Sequence, residues 1–322
     1  MEIPEPEDFK HKPPMANQIN YSIPSDLSDE PTEPTYLGFY ILIFILGVSF
    51  NFFALWIFCC KMEKWTEMRV YMINLTLADF CVLLILPFVI YSSNQKIAQT
   101  HPICLISEST YLINMLMSVW IITCIAVDRY ILIKYPLKAR GWKSPQKAMG
   151  ICGVLWITII GSVSSTTVLN SQNEEICFED QTRENPYILL IGVCLGFLVP
   201  LIILTFCSIQ IITSLWKKKK SDTQGENLIQ KAILIVSVNW SIFIIGFLPF
   251  NTILLVKCVA ALCLIEIPVS RKLLQLSVCV ANANCCLDAI SYYFAVKEFQ
   301  AIPSFLTKSR FLEKKKIQDS EV

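Results

Sequence analysis

The residues that could do chemistry in this chain are mostly charged groups inside long apolar segments. Asp79 and Asp288 are the only acids deep within such segments. An ionisable group inside a membrane is costly, so Asp79 is expected to face the interior of a helix bundle and to have a task there. Two carboxylates in one buried site repel each other, which favours either a bound cation or one shared proton. A hydrogen-bonded structural aspartate is the simpler alternative.

A second charged position lies where an apolar run ends. An uncharged run of about 20 residues, long enough for a helix to cross a bilayer, precedes Asp128, Arg129 and Tyr130. Asp128 and Arg129 are therefore expected at one membrane face. The chain lacks the residues that catalysis or metal binding would need, because its only histidines, His11 and His101, are far apart in the sequence. We predict no enzyme activity.

The elements that must position these residues are membrane helices. Apolar residues make up 54% of the 322 and charged residues 16%, whereas soluble domains have roughly 25% charged residues. In lipid the backbone must satisfy its own hydrogen bonds, so long apolar segments are helices. We predict an all-α membrane protein, a seven-transmembrane helix bundle, with segments at approximately 37–60, 68–93, 102–134, 147–169, 186–216, 229–256 and 271–296.

Charge placement predicts the orientation of the bundle. Most of the 27 basic residues fall in loops and helix ends on one side if the N-terminus is outside, including Lys217 to Lys220 and Lys314 to Lys316. By the positive-inside rule the C-terminus is then cytoplasmic, and the expected location is the plasma membrane. Residues 1–36 are rich in acids and proline and predict a disordered extracellular tail, with a glycosylation sequon at Asn20.

Every predicted span carries a residue or motif found at the matching place in one receptor family. These are Asn51, Asp79 in Asn74-Leu-Thr-Leu-Ala-Asp79, Asp128-Arg129-Tyr130, Trp156, Pro200, Phe247-Leu-Pro249 and Asp288-Ala289-Ile-Ser-Tyr292. As a set, over roughly residues 37 to 306, they resemble the rhodopsin-like (class A) G-protein-coupled receptors. The resemblance implies a receptor domain at 37–296, an amphipathic eighth helix at 297–306 and a cytoplasmic tail at 307–322.

The resemblance also implies roles for these residues. Asp128 would hold Arg129 at rest and release it to meet a G protein, and Pro249 removes a backbone hydrogen bond and so should kink span six into a hinge. Tyr130, Phe247, Asp288 and Tyr292 belong to the same activation set. A hydrated sodium pocket would be formed by Asp79, Ser118, Asn114, Asn284 and Asp288.

Cysteine positions are consistent with this reading. The resemblance implies a disulfide between Cys104 and Cys177, both on the oxidising outer side. Cys258 and Cys263, also outside, are five apart and could close a small loop. The others lie in spans, where a free cysteine is usually a small apolar residue. No cysteine follows the predicted eighth helix.

Three positions depart from the family pattern. Ala289 replaces a proline, Phe247 stands where tryptophan is common, and Ser208 stands where tyrosine is frequent. The inner end of span six near Ile229 also lacks an acid to pair with Arg129. We therefore expect weak restraint at rest and some ligand-free signalling.

The ligand is expected to be acidic. Tyr111 occupies the position where amine receptors have an acid, and mid span seven lacks the lysine that retinal needs. The chain resembles a small group of receptors that respond to lysophosphatidic acid, lysophosphatidylinositol or kynurenate. Cations at the outer ends of spans six and seven suit an amphiphile with an acidic head, although they could instead snorkel at the interface. The predicted ligand residues are Tyr111, Met115, Lys257, Arg271, Lys272 and Glu108.

Partners follow from the same resemblance. A heterotrimeric G protein of the inhibitory or twelve/thirteen class is expected, with arrestin. The end Ser320-Glu321-Val322 has the form that PDZ domains read. The rival from another class is a seven-helix transporter, which would show internal repeats or more intramembrane charges. A constitutively active or ligand-less decoy receptor is the other alternative.

Overall fold

The computed structural model describes residues 34–61, 65–95, 101–136, 139, 144–170, 186–219, 226–265, 273–274 and 276–289. All the regular structure in this part of the chain is helical. Six helices are long and apolar enough to cross a membrane, and a seventh apolar helix, Leu276–Ala289, is shorter. We label them α1 (Pro34–Trp56), α2 (Glu67–Gln95), α3 (Pro102–Lys134), α4 (Pro145–Asn170), α5 (Pro186–Val193, Cys194–Leu198 and Val199–Lys219 in succession), α6 (Glu226–Leu262) and α7 (Leu276–Ala289).

The helix bounds agree closely with the apolar segments, because apolar runs in lipid must form helices along their whole length. The exceptions are α6, which continues to Leu262, six residues beyond the predicted end of span six, and α7, whose described part, Leu276–Ala289, is shorter than the predicted segment 271–296. The predicted tail, eighth helix and C-terminal segment lie outside the described residues.

Helix α3 is the centre of the bundle and packs against α2, α4 and α5. It begins at His101, whose Nδ1 accepts a hydrogen bond from the Ile103 N–H at 3.3 Å. Pro102 follows at a first-turn position where its missing N–H costs nothing. The helix ends with Lys134 in its last turn, a favourable place for a cation beside the helix dipole.

Polar side chains face the inside of the bundle and many large apolar ones face outward. Leu84 is 78% exposed and Ile157 is 74% exposed, as expected of surfaces that contact lipid. Asp79 by contrast is 2% exposed. This arrangement collects the ionisable groups in the interior, where helices must supply their partners.

Three of these helices contain a proline, and one of them also contains a π-helical turn. Pro87 lies inside α2 and Pro249 inside α6, and a π-helical turn at Cys194–Leu198 ends two residues before Pro200 in α5. Because proline has no N–H, each one leaves a carbonyl of the preceding turn without its usual donor. The predicted kink and hinge at Pro249 stay predictions.

The cysteines correct one expectation. Cys104 is buried and disulfide-bonded, while its predicted partner Cys177 lies outside the described residues, so the pairing itself stays a prediction. Cys258 and Cys263 are both free. The small loop suggested for them was wrong, because α6 continues past Cys258 and turns its thiol towards the Pro186 carbonyl at 2.9 Å.

Candidate functional site

A buried polar cluster joins α2, α3 and α7. The Nδ2 of Asn114 donates to Oδ1 of Asp79 at 3.2 Å. Asp288 is 4% exposed and lies near enough for its charge to act on Asp79. Two carboxylates thus share one interior site, where a low dielectric strengthens their repulsion.

The same cluster has polar atoms with unused hydrogen-bonding capacity. Asn284 is 3% exposed, and neither its amide oxygen nor its amide nitrogen meets a hydrogen-bond partner among the described residues. The same holds for Oδ2 of Asp288. Ser118 is also buried. Buried polar groups without partners are rare in folded proteins and call for a ligand, a water or an ion.

The oxygen donors fit a hard cation. Asp79, Asp288, Asn284 and Ser118 offer carboxylate, amide and hydroxyl oxygens, the ligand types that hard cations take. The described residues hold no group of three or more His, Cys, Asp or Glu able to bind a metal ion, so these oxygens would come from mixed side-chain types. Of the five predicted residues, Asp79 and Asn114 are hydrogen-bonded and Asp288 lies near Asp79; Ser118 and Asn284 each lie one helical turn from a member of this group, Asn114 and Asp288.

A hydrogen bond from Asn51 fastens α7 next to this cluster. Its Nδ2 donates to the Gly47 carbonyl at 3.0 Å and to the Cys285 carbonyl at 2.9 Å. Gly246 of α6 packs on the other side, so close that a Cβ there would overlap the Asn284 side chain. The position of Asn284 is therefore set from α1 and α6 together.

A second site surrounds Arg129, which is 4% exposed. A cavity of about 20 Å³ lies beside it between α3, α5 and α6, large enough for one water molecule. Ser208, Asn239 and Trp240 supply the cavity's other polar lining, with six aliphatic residues around them. Nδ2 of Asn239 is buried and has no hydrogen-bond partner in the described part of the chain.

An apolar layer closes the bundle beyond Arg129. It consists of buried residues from α3, α5 and α6, namely Ile133, Ile211, Leu215, Ile229, Ala232 and Val236. The neighbourhood of Ile229 is thus packed with apolar side chains, and the preceding acid of α6, Glu226, pairs with Lys219 of α5 at 3.3 Å.

Tyr130 and Lys134 link the end of α3 to α5. The Tyr130 ring lies 5.9 Å from that of Phe206, and Nζ of Lys134 lies 5.3 Å from the Tyr130 ring. Lys134 also donates to Oε1 of Gln210 at 2.9 Å. These contacts fix the α3 to α5 pairing on which Arg129 depends.

An aromatic stack runs through the middle of α6. Phe243 is 6.0 Å from Phe197 and 5.3 Å from Phe247, measured between ring centroids. Nδ2 of Asn251 donates to the Phe247 carbonyl at 2.9 Å, across the turn that contains Pro249. The Phe247 ring is therefore packed and its carbonyl hydrogen-bonded next to the Ile245 carbonyl, the one that Pro249 leaves without its backbone donor.

The predicted ligand residues lie towards the Cys104 end of the bundle. Tyr111 meets Phe250 edge to face at 6.5 Å, and its hydroxyl is buried without a hydrogen-bond partner among the described residues. Met115 is buried one turn further along α3. Glu108 and Lys257 are half-buried. Arg271 and Lys272 lie outside the described residues, as do Asn20, Tyr292 and Ser320 to Val322.

The positions of two asparagines in α6 beside functional residues were not predicted from the sequence. Asn239 stands in an apolar run, within an Asn-Trp-Ser triplet, yet it lines the cavity beside Arg129. Asn251 stands in an apolar run just after Phe247-Leu-Pro249, and a polar residue in that setting was the available signal. Asn74 is another polar residue within a span that has a structural partner. Nε1 of Trp156 donates a hydrogen bond to its side-chain oxygen at 3.0 Å, which connects α4 to α2.

Comparison with known proteins identifies the class. Residues 50–292 match the family model described as 7 transmembrane receptor (rhodopsin family). The chain belongs to this family. It is a seven-helix, multi-pass receptor of the plasma membrane, from a family whose partners are G proteins, and it is not an enzyme, which confirms the fold and class predicted from the sequence.

Particular relatives are found within the family. The chain is 39% identical over 292 residues to G-protein coupled receptor 35 of Homo sapiens, covering 89% of this chain and 92% of that protein. The Mus musculus counterpart is 39% identical over 283 residues, covering 87% and 91%. Lysophosphatidic acid receptor 4 of Mus musculus is 30% identical over 277 residues, covering 81% and 74%. The predicted resemblance to this group of receptors is confirmed.

Proposed function

We propose that this receptor binds an extracellular amphiphile with an acidic head, of the lysophosphatidic acid type, and activates a heterotrimeric G protein. The N-terminus is outside and the Arg129 end of the bundle faces the cytosol. Similarity to a receptor whose name specifies lysophosphatidic acid supports the ligand class. The excess of basic residues on the Arg129 side supports the orientation.

The observation that carries the ligand proposal is a column of residues on one face of α6. Phe250, Leu254 and Lys257 follow at helical spacing and share that face. Phe250 contacts Tyr111, whose buried hydroxyl has no hydrogen-bond partner among the described residues. Seven residues of helix span about 10 Å, so an apolar strip separates the Tyr111 hydroxyl from the Lys257 ammonium. An acyl chain fits such a strip, and an acidic head fits the ammonium.

The second part of the proposal concerns activation. Displacement of α6 at its inner end would open the apolar layer around Ile229 and expose Arg129 to the G protein. The layer consists of apolar contacts, which are non-directional, so α6 can shift there without breaking a specific polar pairing within the layer. We expect some basal activity, and G proteins of the inhibitory or twelve/thirteen class as partners. Arrestin and a PDZ protein at the C-terminal Val322 complete the proposed partners.

The third part is an allosteric sodium ion. Asp79 and Asp288 would hold it, with Asn114, Ser118 and Asn284 around them. The ion would neutralise the negative charge of these two interior carboxylates. Held between α2, α3 and α7, the ion would favour one arrangement of these helices.

Cells that express the full chain provide the test. G-protein activation is measured with lysophosphatidic acid, lysophosphatidylinositol and kynurenate, in the unmodified receptor and in Lys257→Ala, Lys257→Arg and Arg129→Ala. A charge-assisted hydrogen bond contributes about 1.5–3 kcal/mol, so Lys257→Ala should lower lysophosphatidic acid potency about tenfold or more. Lys257→Arg, which keeps the charge, should retain most of it. Equal potency in all three Lys257 forms would refute the ligand site.

A further inference from the structure

Two adjacent cysteines lie on the surface at the end of α1. The helix continues from Trp56 into a π-helical turn, Ile57–Lys61, that contains Cys59 and Cys60. Both cysteines are exposed and free. They follow an exposed aromatic face, since Phe53 is 52% exposed and its ring lies 5.9 Å from that of Trp56. Cys60 lies one turn after Trp56, so this lipid-facing side of the helix continues to the thiol.

Aromatic and basic neighbours place these thiols at the membrane–water boundary. Nζ of Lys61 lies 5.3 Å from the Trp56 ring. The guanidinium of Arg69 lies 4.2 Å from the Trp65 ring and donates to the Cys59 carbonyl at 3.1 Å. Tryptophan, lysine and arginine concentrate at the headgroup level of bilayers. The thiols are thus positioned where a reactive group meets water and an attached chain enters the lipid.

These cysteines share a membrane face with Arg129. Arg69, at the start of α2, bonds to Cys59, and Tyr71 of the next turn lies within electrostatic reach of Asp128. The end of α1 is therefore beside the proposed coupling surface. Residues 287–322 contain no cysteine.

We infer that Cys59 and Cys60 form an S-acylation site that takes a long-chain fatty acyl group. A cysteine sulfur attacks the carbonyl carbon of a long-chain acyl-coenzyme A; the new sulfur–acyl bond forms as the thioester bond to coenzyme A breaks. The thiol proton leaves with the coenzyme A thiolate, and no atom changes oxidation state. Juxtamembrane cysteines are typical acceptors of this reversible modification. The inference rests on the proposed orientation, because acyl-coenzyme A is cytosolic.

Two other exposed cysteines serve as controls within the chain. Cys81 lies near the middle of α2, which runs from Glu67 to Gln95. Cys263 comes directly after the last residue of α6, Leu262. Both thiols are exposed, but neither lies at the cytosolic membrane boundary in the proposed orientation. Cys81→Ala and Cys263→Ala are therefore the matched substitutions for Cys59→Ala and Cys60→Ala.

The experiment counts hydroxylamine-sensitive thioesters on the full chain from cells, by exchanging each for a maleimide mass tag. The unmodified receptor should carry up to two tags. Each single substitution at Cys59 or Cys60 should remove one tag, and the double variant should lose at least nine-tenths of the signal. Cys81→Ala and Cys263→Ala should match the unmodified receptor. Signal is expressed per receptor, and Cys59→Ser with Cys60→Ser provides a second double variant if the alanine form accumulates poorly.

The failures are distinguishable. Absence of tags from the unmodified receptor, or their persistence in both double variants with Cys263→Ala unchanged, overturns the acylation site and leaves the orientation untouched. If Cys263→Ala loses tags and the double variants keep them, the membrane face at Cys263 is the cytosolic one. That result would overturn both the acylation site and the proposed orientation.

Discussion

Gly246→Ala probes the packing that holds Asn284 within the polar cluster. A Cβ at Gly246 would overlap three atoms of the Asn284 side chain. Asn284 is 3% exposed and cannot swing into solvent. The added methyl group must therefore displace α6 from α7 or push the amide out of the cluster.

The magnitude follows from two opposing effects. Overpacking of this kind costs about 1–3 kcal/mol, and overlap with three atoms of a confined side chain places this site at the upper end. Alanine in a helix gains about 0.5–1 kcal/mol over glycine. The net destabilisation is about 2 kcal/mol. Gly153→Ala in α4 is the matched control, since nothing lies within 4 Å of its added Cβ; it should be neutral or stabilising by up to about 1 kcal/mol.

Thermal unfolding of the full chain in detergent, followed by tryptophan fluorescence at one scan rate, measures the difference. At roughly 2–4 °C per kcal/mol, Gly246→Ala should lower the apparent Tm by about 4–8 °C. Gly47→Ala should fall between the two, because its Cβ would meet the flexible end of Leu83 at 2.7 Å. If Gly246→Ala melts within about 1 °C of Gly153→Ala, the close α6 to α7 packing is refuted.

Three further outcomes are expected. Asp79→Asn should abolish any effect of sodium on agonist affinity, measured by ligand binding in sodium against an organic cation; retained sodium sensitivity would contradict the cation site. Asn239→Leu removes a buried Nδ2 that has no hydrogen-bond partner among the described residues, so it should stabilise the receptor by about 1 kcal/mol, a rise in apparent Tm of roughly 2–4 °C, and lower basal G-protein activity; a lower Tm would show that the amide is hydrogen-bonded in the native receptor. Cys104→Ala removes a disulfide and should destabilise the chain by about 2–4 kcal/mol, seen as lost surface expression; Cys124→Ala, which removes a free thiol, is its comparison.

The helices could be predicted from the sequence because the backbone of an apolar run in lipid can satisfy its hydrogen bonds only by forming a helix. The bounds of α3, Pro102–Lys134, coincide with those predicted. The ionisable residues were also predictable, since charge inside an apolar run is conspicuous. Asp79 and Asn114 were expected in one pocket, and a hydrogen bond joins them.

What could not be predicted depends on how the helices rotate and how far they extend. A spacing of five between Cys258 and Cys263 is compatible with a loop, but α6 continues past Cys258 and turns its thiol to Pro186. The role of Asn239 depends on α3, α5 and α6 converging around Arg129, which no local pattern contains. Small polar residues within spans carry this kind of information and are easily read as incidental.

The most direct test of the central claim is nucleotide exchange on a purified inhibitory G protein by the receptor in phospholipid nanodiscs. Lysophosphatidic acid is compared with a monoacylglycerol of the same chain length, which lacks the phosphate. We predict that lysophosphatidic acid accelerates exchange at a concentration at least tenfold lower than the monoacylglycerol, and that Arg129→Ala abolishes the acceleration. Equal effects of the two lipids, or undiminished exchange in Arg129→Ala, would contradict the account.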